Sequence, residues 1–537
     1  MKCRRICALS LALIFAASML LAGCGGGAGQ SSEKLLRTAN GAEPETLDPR
    51  LAIGTPEGIV LRQIFEGLCT QDKNGDPVPG QAEKWEISAD GLTYKFFLRP
   101  GLKWSNGDPL TAKDFEFAWK TLLSPEFGSK YAEQLYYLKN GAAYNKGTAK
   151  ADDVGVKAID DRTLEVKLEK PTPYFLFLTS FWSYFPVPQK VVEANPKWHA
   201  DAKTLVGNGP FKAVNWAHTD KIELVKNENY WNKGVVKLDK IMISLSENNK
   251  TVLDMFENKQ LDTAEVVPPL SEVPRLLKED KLKTGPYIGN YYYCINVTKP
   301  PFDNVKVRKA FALAIDRKAI VEQITKAGEL PALAWAPNGF TDAKPGEDFR
   351  KVGGDYFKDN DIATAKQLLA EAGYPDGKGL PPITILYNTA ESHKVIAEAI
   401  QEMWKKNLGV NVNITNQEWK VYLASRSTGD YQLARSAWIG DYLDPMTFMD
   451  TLTSKNGNNH TRWGNAEYDR LVQQVAQMSS DQAVRMKAMH DAEKILMDDM
   501  PVLPIYFYVN RYLESPNVKG VIHDALGAVY YREATIE

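Results

Sequence analysis

The chain has 537 residues, 44% of them hydrophobic and 25% charged, an ordinary globular composition that is too long for a single core, so two or three domains are expected. Its 65 Lys and Arg against 67 Asp and Glu give a formal net charge of -2, which supplies no basic field for nucleic acid.

The first 24 residues have the parts of a bacterial export signal. Lys2, Arg4 and Arg5 form a basic start, Leu9 to Ala22 an apolar core, and Gly23 the small residue before Cys24. The order Leu21-Ala22-Gly23-Cys24 resembles the bacterial lipoprotein box, with residues 1–23 as signal peptide and 24–34 as a Gly- and Ser-rich tether. Acylation of Cys24 would anchor the mature chain to a membrane, so an extracytoplasmic location is expected, in the periplasm or on the outer face of the cytoplasmic membrane. An ordinary signal peptide with an incidental cysteine is the plainer alternative. Beyond Cys24 only Cys69 and Cys294 remain; their apolar surroundings and wide separation favour two buried thiols over a disulfide.

Period-two alternation predicts strands at Leu92–Leu98, Leu164–Leu168 and Lys221–Val225. Helical spacing predicts one helix from Val305 to Ile324 and another from Ile362 to Ala372, the latter stopped by Gly373 and Pro375. From Ile383 the pattern reads strand (Ile383–Tyr387), helix (Ser392–Lys406), strand (Val410–Ile414), helix (Glu418–Ser425) and strand (Tyr431–Ile439). Strand, crossover helix and strand imply a parallel unit, and ligands of such sheets sit outside the carboxyl ends of strands. Asp441 follows the third of these strands and His393 the first.

Ala82-Glu83-Lys84-Trp85-Glu86, then Gly91 to Arg99, then Lys103-Trp104-Ser105-Asn106-Gly107-Asp108-Pro109-Leu110-Thr111-Ala112-Lys113-Asp114-Phe115 resemble the signature stretch of the extracellular solute-binding proteins that feed peptide and nickel ABC importers. Pro301 to Arg308, Gln417-Glu418-Trp419-Lys420 and Ala434 to Tyr442 narrow the likeness to the oligopeptide-binding members, from about Leu35 to near the C-terminus. The resemblance implies an α/β, bilobed periplasmic-binding-protein-like type II fold with an extra inserted domain. Domain I would comprise residues 35–65, 189–287 and 510–537, domain II 66–188, and domain III 288–509, with chain crossings near Tyr287 and Val509. It also implies a monomer that delivers short peptides to a membrane-embedded ABC permease and uses no cofactor or metal.

The chemistry of such a ligand stands on its own. A free peptide carries an ammonium, a carboxylate and a uniform backbone between them, and a receptor indifferent to side chains should hold those three. Asp441 is the candidate for the ammonium, at the motif position of the family's amine-binding aspartate; Asp444 is better explained as a cap beside Pro445. Arg435, Arg426 and His393 are candidates for the carboxylate, where several cations at different depths would accept different lengths. Trp419, Trp438, Tyr292, Tyr508 and Cys294 are candidate pocket residues, although aromatics are core by default. Cys294 stands where relatives can place an acidic pocket residue. The backbones of Ile53, Gly54, Thr55, Ala437 and Ile439 are candidates for strand pairing with the ligand. Gly289 and Ile439 stand where some Gram-negative relatives carry a disulfide.

No Gly-x-Ser-x-Gly, His-Glu-x-x-His, phosphate-loop or Cys-x-x-Cys motif occurs, and the six histidines are scattered, so an enzyme is not expected. A secreted peptidase is the competing class, and a receptor for nickel chelates, haem or cell-wall peptides is the alternative within the binding class.

Overall fold

Alternating burial builds the first sheets. A computed structural model describes residues 33–73, 75–172 and 174–537, so Cys24 and the export segment lie outside the described residues; residues 35–537 form one compact unit. The first strand, β1 (Leu35–Ala39), leads to helix α1 (Thr55–Ile64). Next come β2 (Ala82–Ile87) and β3 (Thr93–Leu98); in the latter Tyr94, Phe96 and Leu98 are buried while Lys95 faces out, the predicted period. Helix α2 (Ala112–Leu123) buries Phe115, Trp119 and Leu122 along one face. Thr111 N donates to Asp114 Oδ2 at 2.8 Å, which ties off its first turn. With β4 (Val156–Ala158) and β5 (Thr163–Lys167), the strands make an antiparallel sheet in the order β2-β3-β5-β4.

A second sheet gathers residues far apart in sequence. Strands β6 (Phe211–Ala217), β7 (Lys221–Lys226) and β8 (Lys240–Ser244) join β1 in the order β1-β8-β7-β6, with β1 and β8 parallel.

The third sheet carries the site. Its strands are β9 (Thr263–Ala264), the 14-residue β10 (Leu282–Ile295), β11 (Ile383–Asn388), β12 (Val412–Gln417), β13 (Leu433–Ile439) and the 13-residue β14 (Val502–Glu514). They run in the order β9-β14-β10-β13-β11-β12, and the short pair Leu330–Pro331 joins β14 as a seventh member. As predicted, β11 is parallel to β12; the structure adds that β13 lies on the other side of β11, also parallel, and that β10 is antiparallel to its neighbours. The β10–β14 ladder shifts register between Pro286 and Asn290, beside the expected chain crossings.

Two predicted elements need correction. The helix expected over Val305–Ile324 divides: α3 (Val305–Leu313) ends, and Asp316 Oδ1 accepts from Ala319 N at 2.8 Å to start a new helical segment. An Asp that can cap a helix competes with continuing one. The strand expected from Val410 begins at Val412, because α5 runs to Leu408 and Gly409 closes it at φ 71, which makes the next two residues part of the turn; α4 here is Ile362–Glu371 and α5 Glu391–Leu408. Helix α6 (Trp419–Thr428) is capped by the Glu418 carboxylate, which accepts from Lys420 and Val421 N. Among the described residues no helix is long and apolar enough to cross a membrane, and no group of three or more His, Cys, Asp or Glu is disposed to hold a metal ion.

Candidate functional site

A cavity of about 340 Å³ is lined by residues from Asn40 to Val529, and it gathers most of the predicted site residues. Asp441, Arg435, Arg426, His393, Trp419, Trp438, Tyr292, Tyr508, Ile53, Gly54, Thr55, Ala437 and Ile439 all face it.

Asp441 lies just beyond the end of β13 and is 8% exposed. Gln134 Nε2 donates to its Oδ2 at 2.9 Å, and its own N–H donates to Thr447 Oγ1 at 2.9 Å. Among the described residues it makes no ion pair. Burial, with Asp450 and Glu133 as negative neighbours, raises its pKa well above the ordinary carboxylate range. Asp444 instead accepts from Met446 N at 3.0 Å in a turn and pairs with Arg485 at 2.9 Å; the short helix Met446–Met449 has Pro445 at its N-cap and no side-chain cap, so the ion pair replaces the capping role expected of Asp444.

The cations sit in different surroundings. Arg435 is buried on β13, donating to Tyr508 Oη at 2.8 Å and Asn388 Oδ1 at 3.3 Å, with its guanidinium 4.6 Å from the Tyr291 ring centroid. Arg426 on α6 donates to Ser436 Oγ at 2.9 Å. Neither makes an ion pair among the described residues, and the Nε of each is buried without a partner. His393 departs from the expectation of a cation. It lies against Tyr291 near Arg435 and Arg511, and burial with these two charges lowers its pKa well below the ordinary value, so the ring is neutral.

Trp438 stacks at 6.3 Å on Tyr131 and donates Nε1–H to Thr447 O at 2.7 Å; Tyr292 meets Trp335 edge to face at 4.8 Å. Trp419 lies over Gly54, where an added Cβ would be 3.0 Å from Trp419 Cζ2 and 2.2 Å from Glu57 Oε2. Cys294 is a correction. It shares a strand face with Tyr292, but its Sγ is buried 3.0 Å from Tyr431 Oη and lies away from the cavity. One pleat along β10 is enough to pass from wall to core. Cys69 and Cys294 are both free and buried, and burial pushes the thiols up to about 12 and about 11.

Backbone groups complete the site. Strand β13 pairs with β11 only at Leu433 and Ala434, so its residues 435–439 present an open edge on that side. Gly440 N donates to Ile288 O across to β10, and strand alternation then turns the backbone of Ala437 and Ile439 toward the open edge. Opposite, the Gly54 carbonyl closes the first turn of α1 by accepting from Gly58 N at 3.1 Å, which leaves Ile53 and Thr55 as the residues of that segment suited to pairing. Gly289 and Ile439 are direct register partners, and a Cβ on Gly289 would lie 2.5 Å from Ile439 Cδ1; a glycine and an isoleucine occupy the place of the crosslink.

Sequence reasoning missed Arg62, Arg511, Tyr131, Trp182 and His460, which also line the cavity. It missed Gln134 as well, which holds Asp441 from behind. No local motif marks them.

Residues 76–460 match the bacterial extracellular solute-binding proteins, family 5 Middle. The chain belongs to this family. The Bacillus subtilis oligopeptide-binding protein OppA is 44% identical over 98% of this chain and 98% of its own length. Among solved structures, Haemophilus influenzae OppA in complex with the peptide RPPGFSPFR matches with a TM-score of 0.87 at 35% identity, covering 94% of this chain and 99% of that one. The Escherichia coli murein tripeptide binding protein MppA gives a TM-score of 0.87 at 36% identity, covering 94% and 99%. The unliganded open form of MppA, with the same identity and covering 94% and 98%, gives 0.62. The α/β, multi-domain type II architecture expected from the sequence is the architecture of these neighbours.

Proposed function

We propose that this family 5 protein captures short peptides with free termini by hinge closure and delivers them to a membrane-embedded ABC importer. The observation that carries the reading is one cavity holding a buried carboxylate without a cation, a buried and a half-buried arginine without a carboxylate, and an open strand edge between. Asp441 receives the peptide ammonium, whose positive charge offsets the burial and the negative neighbours that raise its pKa. Arg435 and Arg426 receive the carboxylate. Ala437 and Ile439 on one side, and Ile53 and Thr55 on the other, pair with the ligand backbone, which gives affinity without reading side chains. His393, neutral here, contributes a hydrogen bond in place of a charge.

The lobes comprise domain I (residues 35–65, 189–287 and 510–537), an inserted domain II (66–188) and domain III (288–509), which hinge near Tyr287 and Val509, where the long strands β10 and β14 shift register. Cys24 carries lipid and keeps the monomeric receptor beside its permease. The relatives named as oligopeptide-binding proteins, and the Haemophilus influenzae complex with a peptide, support the ligand class.

Incubation with a defined peptide mixture, repurification and mass spectrometry test the reading. Unchanged peptides that co-purify are the expected result. New cleavage products, or retention of non-peptide solutes alone, would overturn it. Release of a Cys24→Ser variant into the medium is expected if the anchor is lipid.

A further inference from the structure

Four arginines line the cavity: Arg62, Arg426, Arg435 and Arg511. Only Arg511 has a carboxylate, Glu329 at 2.6 Å; among the described residues the other three make no ion pair. A zwitterionic peptide brings one carboxylate for three unpaired guanidinium groups, while its ammonium is taken by Asp441. Two of the three would then remain uncompensated in a closed cleft; Arg62 and Arg435 are buried and Arg426 is half-buried, and an unpaired buried charge is costly.

Arg62 is the one furthest from any role so far assigned. It stands in the last turn of α1, 8% exposed, with Nε buried and unpartnered. Its guanidinium lies 4.9 Å from the Trp182 ring centroid and folds back over Gly58, where a Cβ would come within 2.8 Å of Nη1. The side chain is therefore held in one place. Asp524 lies in its field, with Oδ1 accepting from the N–H groups of Leu526 and Ala528 at 2.9 and 2.6 Å and Oδ2 buried without a hydrogen-bond partner, but it makes no ion pair with Arg62. Trp182 in turn meets Tyr131 edge to face at 6.2 Å, and Tyr131 stacks on Trp438 three residues before Asp441, which puts Arg62 toward the end of the cavity where the ammonium is proposed to bind.

We propose that Arg62 is a specificity-determining residue that receives an acidic side chain near the amino end of the ligand, so that the cleft favours peptides carrying a carboxylate beyond the terminal one. This rests on the peptide reading. Calorimetric titration of the intact protein with tetra-alanine, and with analogues carrying Glu, Gln or Lys at position one, two or three, tests it.

At one position or more, the Glu peptide is expected to bind about tenfold more tightly than its Gln analogue, and Lys more weakly than either. Arg62→Met should reduce the Glu-to-Gln gap to less than about threefold while holding tetra-alanine as tightly as before or more so, and Arg62→Lys should keep part of the gap. Glu and Gln peptides within about threefold at every position, or a gap that persists in Arg62→Met, would overturn the inference and leave the peptide reading standing. So would an equal loss for all peptides in Arg62→Met, which marks a packing role. Failure of every peptide to bind the unaltered protein would overturn both.

Discussion

At the acidic end of the cleft, Asp441 takes its hydrogen bond from Gln134, 307 residues away. Around it Tyr137 Oη meets Tyr442 Oη at 2.7 Å, Asn458 Nδ2 donates to Glu133 Oε1 at 2.8 Å, and Gly457 approaches the Lys130 carbonyl so closely that a Cβ would lie 2.5 Å from it. At the arginine end, Arg435, Tyr508, Tyr291 and Asn388 all stand on neighbouring strands of a single sheet. The arginine end therefore persists whenever that sheet is folded. The acidic end is built where residues 131–137 lie against residues 441–458. On the proposed reading, such a receptor would meet the ligand with its arginines and finish the ammonium site on closing.

The largest expected effect falls on the group that closure completes. Asp441→Ala should weaken peptide affinity at least tenfold, about 1.4 kcal/mol, and calorimetric titration of the folded variant checks it. Arg435→Met should cost somewhat less, about 1 kcal/mol, since Arg426 remains to meet a carboxylate; titration with a peptide and its C-terminal amide reads the difference, which should shrink in the variant. Gln134→Leu should weaken binding by about threefold to fivefold without altering the arginine end. Small-angle scattering on adding peptide should then show incomplete closure, whereas Arg435→Met should close normally once saturated.

Acidity offers a finer test. Burial raises Glu133 from 4.5 to about 8 and Asp450 from 3.8 to about 7, each with a nearby carboxylate adding to the rise. The folded protein therefore holds protons that the unfolded chain releases above about pH 4, so ligand-free stability should fall as pH rises from about 4 to about 8. Thermal midpoints across that range should decline, and Glu133→Gln should flatten the decline. The smallest effect is expected at Cys294. Because its thiol lies behind the cavity against Tyr431, Cys294→Ala should cost about 1 kcal/mol of stability and leave affinity within about twofold, as read by thermal melts and titration.

Much of the third sheet was legible because its signals are local. Alternating apolar residues mark β3, and the succession from Ile383 to Ile439 shows strand and helix periods in turn. Misreadings came where two local rules compete, as at Asp316, whose capping side chain starts a new helical segment where apolar spacing alone would continue the old one. Of the site, Asp441 and Arg435 were legible through their place after and within a strand bearing a family segment. Cys294 was misplaced because alternation gives the face of a strand and does not say where along that face the wall becomes core.

The sequence by itself determined most element types, the parallel β11–β12 pairing and the family, since each rests on residues near one another in the chain, whereas the placing of β13 on the other side of β11 came from the structure. Only the tertiary structure decided that Gln134 stands behind Asp441, that Arg62 and Arg511 share its cavity, and that His393 is neutral. Those facts depend on burial and on charges brought together from segments hundreds of residues apart, and no local period or spacing encodes the field that distant groups create when they pack.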